Sequence, residues 1–269
     1  VKGANALRKL RLACMGGIGA LLLLGGPTAA IGVGKGDAAC PGGTVYLTLD
    51  TGSMRHAEPI AQILRRHGVK ATFFLANEKT PAGNFALDDA WAAYWRERVA
   101  EGHAFGNHTF DHVYFRGVST DGRLTARPQF GAQAGRTVQW DGPALCRELD
   151  RVEARFRELT GQGLDRLWRA PGGKAPTEVM SAARACGWSH VYWAPAGFLG
   201  DELPSDRFPN STLLRQALAT IRGGDILMAH LGIWSREDPY APTLDPLIEG
   251  LKSRGMCFAT LREHPEFRR

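Results

Sequence analysis

From residue 44 onward, short β-branched and aromatic runs alternate with longer stretches whose apolar residues recur every three or four positions. Val45-Tyr46-Leu47-Thr48-Leu49 predicts a strand that ends at Asp50-Thr51-Gly52. Residues 57–67 set Ile60, Ile63 and Leu64 on one helical face, and Gly68 stops them. Residues 70–76, carrying Thr72-Phe73-Phe74-Leu75, predict a second strand, and residues 88–100 a helix closed by Gly102. A short third strand, 103–106, runs straight into Gly106-Asn107-His108-Thr109-Phe110-Asp111-His112. Helices follow over 143–160 (Leu145, Leu149, Val152 and Phe156 spaced for burial), 177–186, 211–221 and 244–253. They alternate with strands at 166–170, 189–193, 225–229 and 256–260. Strands alternating with helices in this way predict an α/β domain with a parallel sheet. Seven such strands wrapped in helices close, or nearly close, into a TIM-barrel-like structure, whose chemistry gathers where strands end and loops begin.

The first thirty residues follow a different pattern. Lys2, Arg8, Lys9 and Arg11 precede the apolar run Leu12–Gly26, and small residues follow at Thr28-Ala29-Ala30. Basic, apolar and small in that order is a secretory signal; the run is short and glycine-rich for an uncleaved anchor. The expectation is a signal peptide over 1–30 and one catalytic domain over 31–269, since no repeat or Pro/Gly/Ser-rich linker divides the remainder. The mature protein would then be periplasmic or extracellular, with no stable membrane span. The segment also disposes of the charge. The formal net charge is +6, but without those four cations the balance is 29 basic against 27 acidic residues, with no basic cluster suited to nucleic acid.

Export makes Cys40, Cys146, Cys186 and Cys257 interpretable as two disulfides, with four buried thiols as the alternative. Barrel closure would bring the stretch before the first strand towards the last strand. That favours Cys40–Cys257, leaving Cys146–Cys186 between helices on neighbouring strands.

The strand ends collect an unusual set of side chains. Strand one delivers Asp50, strand three His108 and His112, strand four Arg169-Ala170-Pro171-Gly172-Gly173, and strand six His230. Singly each has a plainer explanation: a helix cap, a surface ion pair, a core histidine. Falling together on one rim, they read as a site.

Their order resembles the polysaccharide deacetylases of carbohydrate esterase family 4, which carry the NodB homology domain. The T-F-D-D-G motif of that family corresponds to Thr48-Leu49-Asp50-Thr51-Gly52, and H-(S/T)-x-x-H to His108-Thr109-Phe110-Asp111-His112. R-x-P-x-G corresponds to Arg169-Ala170-Pro171-Gly172-Gly173, and the closing L-x-H to Met228-Ala229-His230. The resemblance covers about residues 43–262 and implies a deformed seven-stranded (β/α) barrel. It implies a hydrolase of non-peptide C–N bonds that removes N-acetyl groups from amino sugars of a cell-wall or secreted polysaccharide or oligosaccharide. Asp50 would be the general base, Arg169 its orienting partner and His230 the general acid. His108 and His112 would hold a divalent metal, zinc first. A backbone N–H at Gly172 would serve the oxyanion, and Trp193 would wall the acetyl pocket.

Two departures matter. The family's second aspartate, normally a metal ligand, is Thr51 here. Asp50 is the first choice to turn to the metal in its place, with Asp111, Asp201, Asp206 and Glu202 as further candidates. The aspartates of the fourth motif, which tune the general acid, are also missing from Trp193-Ala194-Pro195-Ala196-Gly197-Phe198-Leu199-Gly200-Asp201-Glu202. A catalytically weak, carbohydrate-binding descendant is therefore the alternative, as is a hydrolase of another C–N bond. The loops 113–142 and 194–209 are long enough to shape substrate access. Within the first, Tyr114, Phe115 and Trp140 either stack on sugar rings or hold the loop down.

Overall fold

The architecture follows from one buried strand. In the structure, a computed structural model that describes residues 40–268, β1 (Thr44–Asp50) is buried from Val45 to its end, as a strand covered on both faces must be. The expected signal segment lies outside the described residues, as does Cys14. β1 pairs in parallel with β2 (Thr72–Leu75) on one side and with β9 (Ile226–His230) on the other, and its first residues meet β10 (Cys257–Phe258). Beyond β2 the sheet continues through β3 (Ala104–Asn107), β7 (Leu167–Trp168) and β8 (Ser189–His190), giving seven strands, all parallel. The curled parallel sheet is the expected α/β barrel in deformed form.

The outer layer is helical: α1 (Ala57–His67), α2 (Ala92–Ala100), α3 (Gly142–Thr160), α4 (Thr177–Ala185), α5 (Asn210–Thr220) and α6 (Leu244–Ser253). Each lies within a residue or two of its expected bounds, except that the first turn before α2 is a 3₁₀ helix, Asp89–Trp91. Helix α1 buries Ile60, Ala61, Ile63 and Leu64 and ends on Gly68 at φ 61°. Gly68 N–H bonds Arg65 O and Val69 N–H bonds Leu64 O, so the last turn closes through a left-handed residue that glycine adopts without steric cost. An aromatic cluster joins helices to sheet: Phe73 stands 6.0 Å from Trp95 and 5.8 Å from Phe105, and Phe105 4.7 Å from Phe156.

Two departures from the expected barrel concern the long loops. Residues 113–142 are largely a three-stranded antiparallel sheet, β4 (Tyr114–Val118), β5 (Leu124–Arg127) and β6 (Val138–Trp140), in place of the irregular loop expected there. Phe115 is buried there, 6.4 Å from Trp140 and 6.2 Å from Trp168, so those two residues anchor the insertion. Tyr114 alone of the three faces the cavity described below. The second loop supplies a missing wall. β8 is not paired with β9, and the chain between them leans on β9 through Ala194 N–H to Ile226 O (3.0 Å), Leu199 N–H to Met228 O (3.2 Å) and a bridge from Phe198 to Met228. Gly197 permits this approach, because a Cβ there would fall 2.0 Å from Ile226 O.

Both expected disulfides are present, Cys40–Cys257 with Cα atoms 5.5 Å apart and Cys146–Cys186 at 5.8 Å. Among the described residues no helix is long and apolar enough to cross a membrane.

Candidate active site

Strand register delivers the site. Asp50 ends β1 directly opposite His230 at the end of β9, and Asn107, the last residue of β3, lies opposite Trp168. His108 and Arg169 therefore emerge side by side, and both line or back a cavity of about 480 Å³ at the strands' C-terminal ends. Asp50, Gly52, Glu78, His108, His112, Tyr114, Gly172, Gly173, Trp193, Glu202, His230 and Trp234 are among its lining residues. Of the residues expected at the rim, Asp50, His108, His112, Gly172, Trp193, Glu202 and His230 line the wall and Arg169 backs it, while Asp111, Asp201 and Asp206 are absent from the wall. Asp111 pairs instead with Arg151 at 2.7 Å.

The His-Thr-x-x-His segment is a strained turn and not a helix. Thr109 and His112 sit at φ 60° and 48°, a region that a β-branched threonine rarely enters. The turn is held from several sides: Thr109 N–H to Asn107 Oδ1 (2.9 Å), Val113 N–H to Thr109 Oγ1 (2.7 Å), Asp111 N–H to Glu148 Oε1 (2.6 Å) and Asn77 N–H to Phe110 O (2.8 Å). The result puts the two imidazoles 5.0 Å apart, centroid to centroid.

Arg169 is wholly buried beneath the cavity floor. Its Nη1 donates to Asp50 Oδ1 at 2.8 Å and to Thr48 Oγ1 at 2.8 Å, while the guanidinium lies over the rings of Phe74 (4.3 Å) and Trp193 (5.4 Å). Burial alone would raise the Asp50 carboxyl, but Arg169, with the His230 imidazolium adding to it, holds it below its ordinary range. His108 is neutral: burial pushes its pKa down to about 4 against the opposing pull of Asp50. Its Nδ1 is 2.9 Å from Arg169 O, a carbonyl that can only accept, so Nε2 carries the free lone pair. Asp50 Oδ2 stands 3.6 Å from that Nε2.

At the neighbouring strand end His230 Nδ1 is 3.1 Å from Asp201 Oδ2, and the same oxygen accepts the His230 N–H at 2.7 Å. Burial would depress this imidazolium. The carboxylates around it, Asp201 first and then Asp50 and Glu202, together outweigh burial, and the pKa is pushed up to about 10. Asp201 thus supplies a carboxylate beside His230. Gly172 and Gly173 both have φ 66°. A Cβ on Gly172 would fall 2.8 Å from the Tyr114 ring, and one on Gly173 2.5 Å from the Trp193 ring, so the aromatic walls depend on both glycines.

One lining residue was invisible in the sequence. Glu78, three residues past the end of β2 and largely buried, accepts at Oε1 from Thr51 Oγ1 (2.7 Å) and Gly52 N–H (2.8 Å), and its Oε2 lies 3.9 Å from His112 Nε2. No spacing in the sequence connects it to the motifs.

The donors approach as two imidazole–carboxylate pairs, and among the described residues no three His, Cys, Asp or Glu are already gathered into a closed coordination set. Two tetrahedral ligands of zinc, each about 2.0–2.2 Å from the ion, lie about 3.3–3.6 Å apart. The 3.9 Å Glu78–His112 pair misses that spacing by a few tenths, and the 3.6 Å Asp50–His108 pair meets it with a carboxylate that Arg169 already holds. Neutral imidazole with carboxylate oxygen is a donor set for zinc or a similar divalent ion.

A sequence profile of the family described as polysaccharide deacetylase matches residues 37–191 of this chain. The chain is a polysaccharide deacetylase family member. A chitooligosaccharide deacetylase from Azorhizobium caulinodans is 27% identical over 231 residues, which span 81% of this chain and 92% of that one. Among solved structures, the family 4 acetyl xylan esterase from Clostridium thermocellum, in complex with a cobalt ion, superposes with a TM-score of 0.62 at 21% identity, over 82% of this chain and 89% of its own. A mutant of a family 4 pseudoenzyme from Bacillus anthracis, with restored enzymatic activity, superposes at TM-score 0.61 and 21% identity, over 84% of this chain and 68% of its own. These structural likenesses establish the deacetylase fold.

Proposed function

We propose that this deacetylase-family chain is an exported, metal-dependent hydrolase that removes N-acetyl groups from amino sugars of a cell-wall or secreted polysaccharide. The observation that carries the reading is the arrangement of Asp50, held by Arg169, and His230, held by Asp201, at neighbouring strand ends of one cavity that the His108–His112 pair also lines. A pure binding groove has no physical need for a buried, arginine-anchored carboxylate facing a carboxylate-anchored imidazolium. The two disulfides and the basic, apolar, small-residue pattern of residues 1–30 support export.

When bound at His108 and His112, a divalent cation would polarise the acetamide carbonyl and acidify the attacking water. Asp50, kept ionised by Arg169, takes the proton of that water through the oxygen the arginine leaves free. The backbone N–H of Gly172, a lining residue of the cavity, serves the oxygen on which charge develops. Tyr114 and Trp193 wall the acetyl methyl, and His230 delivers its proton to the departing sugar amine.

Thr51, where the family carries aspartate, favours the alternative of a carbohydrate-binding descendant with little turnover. Acetate release from N-acetylated chitooligosaccharides and peptidoglycan separates the two. Turnover that falls at least about 100-fold in both Asp50→Asn and His230→Ala supports the hydrolase; saccharide binding without acetate release in the unmodified chain sinks it.

A further inference from the structure

Replacement of a ligating aspartate by Thr51 poses two problems for a divalent site. One is a missing donor. The other is charge: Asp50 is already neutralised by Arg169 at 2.8 Å, so a dication on two neutral imidazoles would sit in a buried cavity with no carboxylate of its own. Moving Asp50 to the cation would leave Arg169 uncompensated and remove the base.

The wall beside His112 answers both. Thr51 is poorly suited to ligate, because its hydroxyl proton goes to Glu78 Oε1 at 2.7 Å and its oxygen already accepts Ala76 N–H at 3.1 Å. It acts instead as a bracket. With Gly52 N–H at 2.8 Å it fixes one oxygen of Glu78, and the second oxygen is left facing His112 Nε2 at 3.9 Å. One oxygen anchored by two donors and the other directed at an imidazole nitrogen is how an oriented monodentate ligand is held. The reach also suits the substitution. Glutamate enters from the end of β2, one strand over from Thr51, and its longer side chain returns the carboxylate to the space beside the imidazole pair.

We propose that Glu78 is the third protein ligand of the divalent cation, a relocated carboxylate that takes the place vacated at position 51, with Thr51 as its positioning residue. This rests on the metal-dependent reading above and assigns the charge balance: one anionic ligand for the cation, with Asp50 kept for Arg169 and for the water.

The test is metal affinity, read without turnover. The purified chain is stripped with chelator and titrated with Zn²⁺ against a chromogenic competitor, alongside Glu78→Gln, Thr51→Asp, the Thr51→Asp/Glu78→Gln double variant and His108→Ala. Glutamine keeps an acceptor for Thr51 and Gly52 but loses the anionic donor. Loss of an outer partner of a ligand costs about 10–100-fold in affinity, so Glu78→Gln is expected to weaken Zn²⁺ by about 100-fold or more. The double variant regains most of that loss, because aspartate at 51 restores a carboxylate. The visible spectrum of the Co²⁺-loaded chain shifts in Glu78→Gln, which a merely structural role for Glu78 would not cause. Zn²⁺ affinity and Co²⁺ spectrum unchanged in Glu78→Gln, with binding lost in His108→Ala, overturn the assignment of Glu78 and leave the metal centre standing. Unchanged binding in His108→Ala overturns the metal centre itself. Should Glu78→Gln fail to fold, Glu78→Asp reads the same question: it keeps the charge and withdraws it by one methylene. An unchanged Co²⁺ spectrum and affinity there overturn the proposal.

Discussion

The Arg169–Asp50 pair permits a quantitative test of the site's electrostatics that needs no substrate. Both side chains are almost wholly buried, 2.8 Å apart, and Arg169 also donates to Thr48 and lies over Phe74 and Trp193. Arg169→Met keeps much of the volume and the ring contacts but leaves Asp50 as an uncompensated charge on the cavity floor. Breaking a buried pair in this way costs about 3–5 kcal/mol. For a domain of this size that corresponds to a fall in Tm of about 6–20 °C. Asp50→Asn leaves the arginine charge buried in its turn and is destabilising as well. The double variant removes both charges, so its loss should be smaller than the sum of the two singles by about 2 kcal/mol or more. Urea unfolding followed by circular dichroism, with chelator present so that metal binding adds no stabilisation of its own, measures all four corners of the cycle. Additivity within about 0.5 kcal/mol would refute the description of Arg169 as the group that holds Asp50 ionised.

Three further outcomes follow from other parts of the molecule. Trp234 is half exposed at the cavity mouth with Arg55 against its ring at 5.5 Å; as a stacking platform it should give a KM raised about tenfold in Trp234→Ala with kcat little changed, and an unaltered KM removes it from the substrate path. His103, buried with Nδ1 accepting the Ala71 N–H at 3.0 Å, has its pKa pushed by burial down to about 4. The unfolded chain takes up that proton near pH 6.5 and the folded chain does not. Its contribution is therefore complete above about pH 6.5 and lost as pH falls towards 4, up to about 3 kcal/mol; His103→Gln should flatten that slope in urea titrations. Intact mass should read four hydrogens below the fully reduced chain for the two disulfides. Replacing Cys146 and Cys186, 40 residues apart, by serine should cost up to about 4 kcal/mol by loss of loop closure; no change in Tm would count against a stabilising role.

The barrel was legible because its buried strands and amphipathic helices obey simple periodicities, and β1 and α6 fall within a residue of their expected bounds. The antiparallel sheet β4–β6 was not. Its strands have three to five residues, and Leu124-Thr125-Ala126-Arg127 alternates in burial through residues too small or polar to stand out from a loop. In the site, the residues carried by motifs converge as the strand-end argument required. Glu78 and the pairing of Asp201 with His230 depend on contacts 26 to 29 positions apart, for which no local pattern exists. Asp201 stood among the possible metal ligands in the sequence, but only the fold reveals that its carboxylate points at His230.

The segment that stands in for a strand between β8 and β9 also delivers Asp201 to His230. Structural integrity and proton chemistry are thereby fastened by one clasp. Loosening it with, for example, Gly197→Ala would disturb the histidine from a residue whose closest neighbour is the backbone of Ile226, so variants that turn up here as stability defects are places to look for altered catalysis.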